Sequence, residues 1–194
     1  VEAELAKNSS LGIGPIREAL RILAGEGLIE IRPYRGATVT RLSVDEIEKV
    51  YQAAKGVVYM SLMLVVEACR DKNNRPPIEA ALDDIKQSVD GPLTDFLSAL
   101  SAYYFIIHEV IENPYLTSLI KRLHLGLVHR EIANLHPNFD RQSIVKAYSD
   151  ATDAIFKGDF EKAKELQFAH FDSYIEVVRL ASPTHAATKQ AIGS

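Results

Sequence analysis

Arg17 and Arg21 stand four residues apart, a spacing that puts both guanidiniums on one face of a helix. An arginine carried into the major groove of DNA donates two parallel hydrogen bonds to O6 and N7 of guanine. Lys7 upstream and Arg35 downstream add two cations suited to a phosphate or to a minor groove. These four are the candidate DNA-binding residues. Nucleophilic chemistry finds less support. Cys69 is the single cysteine and has no histidine near it in sequence, which also excludes an internal disulfide framework and a cysteine-built zinc site.

The elements around the arginines give them a setting. Val1 to Lys7 reads as a helix already under way, without a capping residue before it, so upstream sequence is expected. Asn8-Ser9-Ser10 is a turn signal, and Pro15 suits a first helical turn. Ile16, Ala19, Leu20 and Leu23 then mark one face of a helix that Gly25 and Gly27 end. Leu28 to Arg32 alternates as a half-buried strand does, Pro33 to Gly36 is a turn, and Ala37 to Thr40 is a second strand. Helix, turn, helix and hairpin within about 40 residues is the order of a winged helix-turn-helix.

Everything after Leu42 reads helical. Ser43 and Glu46 form a capping box, followed by an apolar stripe from Ile47 to Val65 in which Gly56 is a candidate kink. Breaks at 71–75, Gly91-Pro92, Asn113-Pro114, His136-Pro137-Asn138 and Gly158-Asp159 leave about six helices, hence an antiparallel bundle. The expected organisation is a winged helix-turn-helix over 1–42, a helical domain over 43–182 and a frayed tail over 183–194. The fold class is mainly α.

The 194 residues are 47% hydrophobic and 25% charged, which excludes wholesale disorder. No run approaches the roughly 18 apolar residues of a membrane span, and no signal peptide opens the chain. The net charge of −4 argues against a protein that coats nucleic acid indiscriminately. Residues 1–42 carry six Lys/Arg against five acids, so the acidity lies in the helical part.

Pro15-Ile16-Arg17-Glu18-Ala19-Leu20, Leu23 and Glu26-Gly27-Leu28, followed by Tyr34-Arg35-Gly36-Ala37-Thr38-Val39, resemble the GntR family of bacterial transcription regulators. Leu42 to Ile47 with Tyr51, Asn113-Pro114-Tyr115-Leu116, Ala154-Ile155, Gly158-Asp159 and His170 resemble its FadR-like subfamily. The resemblance covers nearly the whole chain, less most of the first DNA-domain helix. It implies a cytoplasmic homodimer on a palindromic operator, with a small-molecule effector in the helical domain. It also places a DNA-contacting arginine at Arg17. Ile13 departs from the family's usual arginine, and Gly12 and Gly14 replace hydroxyl residues that commonly touch DNA.

The same resemblance implies a metal site of one aspartate and three histidines beside a carboxylate effector. Counted from the Asn-Pro and Gly-Asp landmarks, those positions hold Leu100, Tyr104, Tyr148 and His170. Leucine cannot ligate, and a phenol with a pKa near 10 is a poor ligand at pH 7. The expectation is no metal cofactor. The effector-binding candidates are then Leu100, Tyr104, His108, Tyr148 and His170, suited to an apolar or aromatic ligand. Ala54 and Val58, where the subfamily has arginine and glutamate, point the same way. His108 also reads as a partly buried structural histidine, or as one ligand of a shifted metal site with His170. The tyrosines also read as space-filling. His124, His129 and His136 are expected at the surface. Two other functions stay open: a ligand-binding module without DNA specificity, and a helical metal-dependent enzyme, for which no acid/base set is visible.

Overall fold

The structure, a computed structural model, describes residues 2–9, 11–32, 36–135 and 140–181. Arg35, His136 and the tail over 183–194 lie outside them. The chain divides into two compact units between Leu42 and Ser43.

In the first unit, α1 (Glu2–Ser9) leads through a short turn to α2 (Ile13–Gly25). Asn8 and Ser9 belong to α1 rather than to the expected turn, and the Ser9 hydroxyl donates back to the Leu5 carbonyl. This local bond lets serine continue a last turn. α2 ends in a Schellman motif. Gly27 takes φ +78°, its amide donates to Ala24 O, and Leu28 N donates to Leu23 O at 2.9 Å. That reversal sends the chain into β1 (Ile29–Arg32), which pairs antiparallel with β2 (Gly36–Val39), Ile29 opposite Val39 and Arg32 opposite Gly36. The Thr40 hydroxyl donates to Gly27 O and its amide to Leu28 O. The hairpin is thereby tied to the end of α2.

The second unit is all helical: α3 (Val44–Ala68), a 3-10 turn at Lys72–Asn74, α4 (Pro76–Ser88), α5 (Leu93–Val110), α6 (Pro114–Arg122), α7 (Leu125–Leu135), α8 (Arg141–Lys157) and α9 (Phe160–Ala181). α3 runs as one helix through Gly56. Its start is held by the capping box, Ser43 N donating to Glu46 Oε2 at 2.8 Å and Glu46 N to Ser43 Oγ at 3.3 Å. Ser43→Ala is expected to cost about 1 kcal/mol of stability, read as a lower urea midpoint with unchanged slope.

The bundle has seven α-helices among the described residues, where the sequence pattern gives about six. The extra one arises at His124, whose φ of +47° ends α6 and lets α7 begin at the next residue. The hairpin of α8 and α9 positions two of the candidate site residues. Gly158 at φ +78° closes α8, with Asp159 N donating to Ala154 O at 2.9 Å. Asp159 then caps α9, accepting from Lys162 N at 3.0 Å. A stop and a start on adjacent residues lay α9 back along α8, so Tyr148 and His170, at similar distances from the turn, come level.

α9 also packs along α3, and α4 along α5. Lys55 pairs with Asp172, and Arg179 forks onto Glu48, across the α3–α9 seam. Arg75 donates to Cys69 O and Phe156 O, and Arg141 to Val89 O and Gly91 O, pinning both ends of α8 to neighbouring loops. Among the described residues, no helix is long and apolar enough to cross a membrane.

Candidate functional site

Arg17 and Arg21 both lie exposed on α2. Arg21 stands 3.7 Å from Glu18 on the same helix, and both side chains are about two-thirds exposed. Such a pair is weak in water and yields readily to a phosphate or a base. Lys7 is exposed in the last turn of α1. Gly12 caps α2 without a side-chain hydrogen bond, and Ile13 behind it is half exposed.

In the helical unit, Leu100, Tyr104, His108, Tyr148 and His170 are all buried. Three of them meet. The Tyr104 and Tyr148 rings are 6.0 Å apart between centroids, and Tyr148 is 5.3 Å from His170, edge to face. Leu100 lies one turn before Tyr104 on α5 and is fully buried. His108 is not part of this ring cluster. Its Nδ1 donates to Tyr104 O at 2.7 Å, because a carbonyl only accepts, and its Nε2 lies 2.9 Å from the Ser61 hydroxyl, which itself donates to Val57 O at 2.9 Å. These contacts fix the His108 ring, and the residue also lines a groove of about 520 Å³ with Glu109, Glu112 and Lys121.

The cluster is larger than the sequence pattern indicates. Tyr51 of α3 lies 5.2 Å from Phe171 and stacks on Tyr174 at 5.9 Å. Tyr174 lies 4.4 Å from His170 and 5.9 Å from His129. His129, expected at the surface, is therefore corrected to a buried residue of α7, 3% exposed. A signal for this exists in the sequence: Leu125, Val128, Ile132 and Ala133 make a helical stripe with His129 inside it. The α6–α7 break hides this stripe from a reading of 114–135 as one helix.

Several polar atoms of the cluster are paired. Gln167 Nε2 donates to Tyr104 Oη, and the Tyr103 hydroxyl donates to Thr152 Oγ1 at 2.7 Å, since the Thr152 proton goes to Tyr148 O. Among the described residues, four others are buried without a hydrogen-bond partner: Tyr51 Oη, His129 Nδ1, Tyr148 Oη and His170 Nε2. Tyr148 Oη sits beside the Tyr104 hydroxyl without making a bond of proper geometry. These atoms come from α3, α7, α8 and α9, and the rings of all four touch Tyr174 or one another.

The tyrosines and the two histidines of the cluster are neutral. Burial lowers the His129 pKa to about 4 and that of His170 to about 3, the latter with a smaller contribution from His129. Burial likewise pushes the Tyr103 phenol up to about 12 and raises Tyr51, Tyr104, Tyr148 and Tyr174. This donor set does not fit the metal that the family resemblance implies. A leucine, two neutral phenols and one imidazole occupy its ligand positions, and no three His, Cys, Asp or Glu side chains converge among the described residues. Free space inside is small, about 10 Å³ beside His129, Ile132 and Tyr174 and about 10 Å³ beside Tyr104, Ile107 and Gln167. Outside, a groove of about 290 Å³ runs along the α8–α9 seam with His170 in its wall, beside Lys146, Asp150 and Ser173.

A helix-turn-helix with a hairpin wing, followed by an all-helical unit, is the build of a DNA-binding transcription regulator. The FCD domain matches residues 60–173, more than half of the sequence, and the chain belongs to this family, the C-terminal domain of GntR-family regulators. It is 22% identical over 174 residues to YdhC of Bacillus subtilis strain 168, an uncharacterized HTH-type transcriptional regulator, covering 88% of this chain and 77% of that one. Its fold is similar to that of McbR/YncC of E. coli, at a TM-score of 0.77 and 16% identity, over 92% of this chain and 85% of the other. A GntR transcriptional regulator from Rhodococcus sp. RHA1 matches at a TM-score of 0.72 and 14% identity, over 94% and 87% of the two chains.

Proposed function

We propose that this regulator binds a palindromic operator in the cytoplasm as a homodimer, and that a small-molecule effector held in the helical unit biases that binding without a metal. The observation that carries the effector reading is the set of four buried, unpartnered polar atoms supplied by four helices. Each such atom costs on the order of 1–3 kcal/mol if nothing pairs with it. Their rings touch Tyr174 or one another, and an occupant that pairs with these atoms removes that cost. Leu100, Tyr104, Phe171 and Tyr174 supply apolar walls, and wall plus few polar atoms is the usual make-up of a ligand pocket. Operator and effector binding are then linked reciprocally.

Arg17 and Arg21 supply base or backbone contacts, and Lys7 and Arg35 phosphate contacts. The test is fluorescence anisotropy of the full chain on DNA from upstream of its own gene, with salt titrated. Specific binding that weakens steeply with salt is expected. Arg17→Ala is expected to lose roughly five- to 150-fold in affinity. Binding no tighter than to random DNA overturns the operator reading and favours a ligand-binding module without DNA specificity, consistent with the half-exposed Ile13 at the start of α2.

A further inference from the structure

The unpartnered atoms also state what kind of molecule they fit. Two are phenolic hydroxyls, each able to donate and to accept, and two are ring nitrogens of imidazoles, each a donor or an acceptor according to tautomer. None carries a formal charge, and the rings that surround them are Tyr103, Tyr104, Phe171 and Tyr174. An occupant bearing a hydroxyl or a ring N–H has the chemistry to pair with these atoms. A hydroxyl donates once and accepts twice, so it suits a phenol and an imidazole nitrogen alike. An aromatic ring behind that hydroxyl meets tyrosine edges and faces at the 4.4–6.4 Å spacing the cluster already uses.

A carboxylate fares differently. It accepts from the two phenols, but its charge is left in an apolar box without a cation, a costly burial. The nearest cation in the α8–α9 groove is Lys146, which is 74% exposed and paired with Asp150 at 2.6 Å, on the outer side of His170. A bound carboxylate would therefore have to bring a proton onto His129 or His170.

We propose that the Tyr51–His129–Tyr148–His170 site takes an uncharged aromatic molecule carrying a hydroxyl or ring N–H, and turns away carboxylates. This rests on the effector reading and reverses the carboxylate-on-metal chemistry that the family resemblance implies. The ligand enters from the α8–α9 groove past His170, the one member of the set that also lines that groove. The space beside His129 and Tyr174 is one water across, so entry requires the side chains of the cluster to spread.

Phenol, indole and benzoate are the probes, measured by calorimetry and thermal shift on the full chain between pH 6 and 8. Phenol or indole is expected to bind with an affinity that does not change with pH, and benzoate at least tenfold more weakly. Tyr148→Phe is the decisive variant. It removes an unpartnered hydroxyl without changing the ring, so the unliganded protein is expected to melt no lower than the parent, while phenol affinity falls about tenfold. A merely structural tyrosine leaves ligand affinity unchanged. Benzoate binding as tightly as phenol, and tightening about tenfold per unit fall in pH, overturns the ligand class but leaves the effector site standing. Binding of none of the three at millimolar concentration overturns both. Stoichiometric uptake of zinc by the unmodified chain overturns the metal-free chemistry.

Discussion

Lowering the pH from 7.5 to 5.0 is expected to remove about 4 kcal/mol of folding stability from this protein. His129 and His170 are the cause. Their native pKa values of about 4 and about 3 lie below the ordinary histidine value of 6.5. Well above pH 6.5 neither the native nor the unfolded chain protonates them, so protonation takes nothing from stability there. Below 6.5 the unfolded chain takes up protons that the native chain refuses, and stability falls with each step. One unit of pH is worth about 1.4 kcal/mol per group. Two groups over the 1.5 units from 6.5 to 5.0 therefore give about 4 kcal/mol. The loss continues until the pH reaches about 4, where His129 begins to protonate in the native state too.

The carboxylates held low by local hydrogen bonds, Glu46 and Asp140, titrate below this window. The raised phenols titrate above it. His108 is also lowered by burial and adds in the same direction. Urea unfolding at the two pH values measures the difference. His129→Leu is expected to remove about half of it, because only one of the two imidazoles then remains. A flat profile for the parent would mean that a counter-charge or solvent reaches these rings in the native state, contrary to their burial.

The parts of the fold that depend on local chemistry are legible in the sequence. Ser43 with Glu46, Asn113 before Pro114, Asp140 and the Gly158-Asp159 pair each satisfy backbone groups within a few residues, and each cap is in place. The break at His124 is not legible. Lys121 to Leu125 contains no proline, glycine or asparagine, and a histidine adopts φ > 0 there against its own preference. Close packing follows at once: a Cβ on Gly126 would come within 3.3 Å of Ser101 Oγ on α5, so α7 lies tight against α5 there. The candidate site divides along the same line. The family resemblance locates Tyr104, Tyr148 and His170 by their distance from turn landmarks. His129 escapes such counting because its burial depends on that non-local break. Tyr51 reads as an ordinary stripe residue and Tyr174 is not singled out, since nothing in a sequence marks which core hydroxyl lacks a partner.

Restoring the ligand set that the family resemblance implies is the strongest test of how these positions are related. Leu100→Asp, Tyr104→His and Tyr148→His, made together in a chain that already has His170, place one carboxylate and three imidazoles where the parent has one. The parent has no negative charge there to hold a divalent ion, and its phenols stay protonated. The triple variant supplies both the charge and nitrogen donors suited to zinc. Without metal it is expected to be several kcal/mol less stable than the parent, because an unpaired carboxylate replaces a leucine that is fully buried. With zinc at about a hundred times its dissociation constant it regains about 2.7 kcal/mol, seen as a rise in melting temperature and one bound ion per chain. The parent is expected to show neither. Tyr104→His alone is expected to give no stoichiometric uptake, since a second imidazole without the aspartate leaves the charge unbalanced. A triple variant that folds but binds no ion would show that Leu100, Tyr104 and Tyr148 do not converge with His170 closely enough for a shared ligand. That result would leave the hydroxyl-and-imidazole site of Tyr51, His129, Tyr148 and His170 intact, because it rests on unpartnered atoms rather than on the inherited positions.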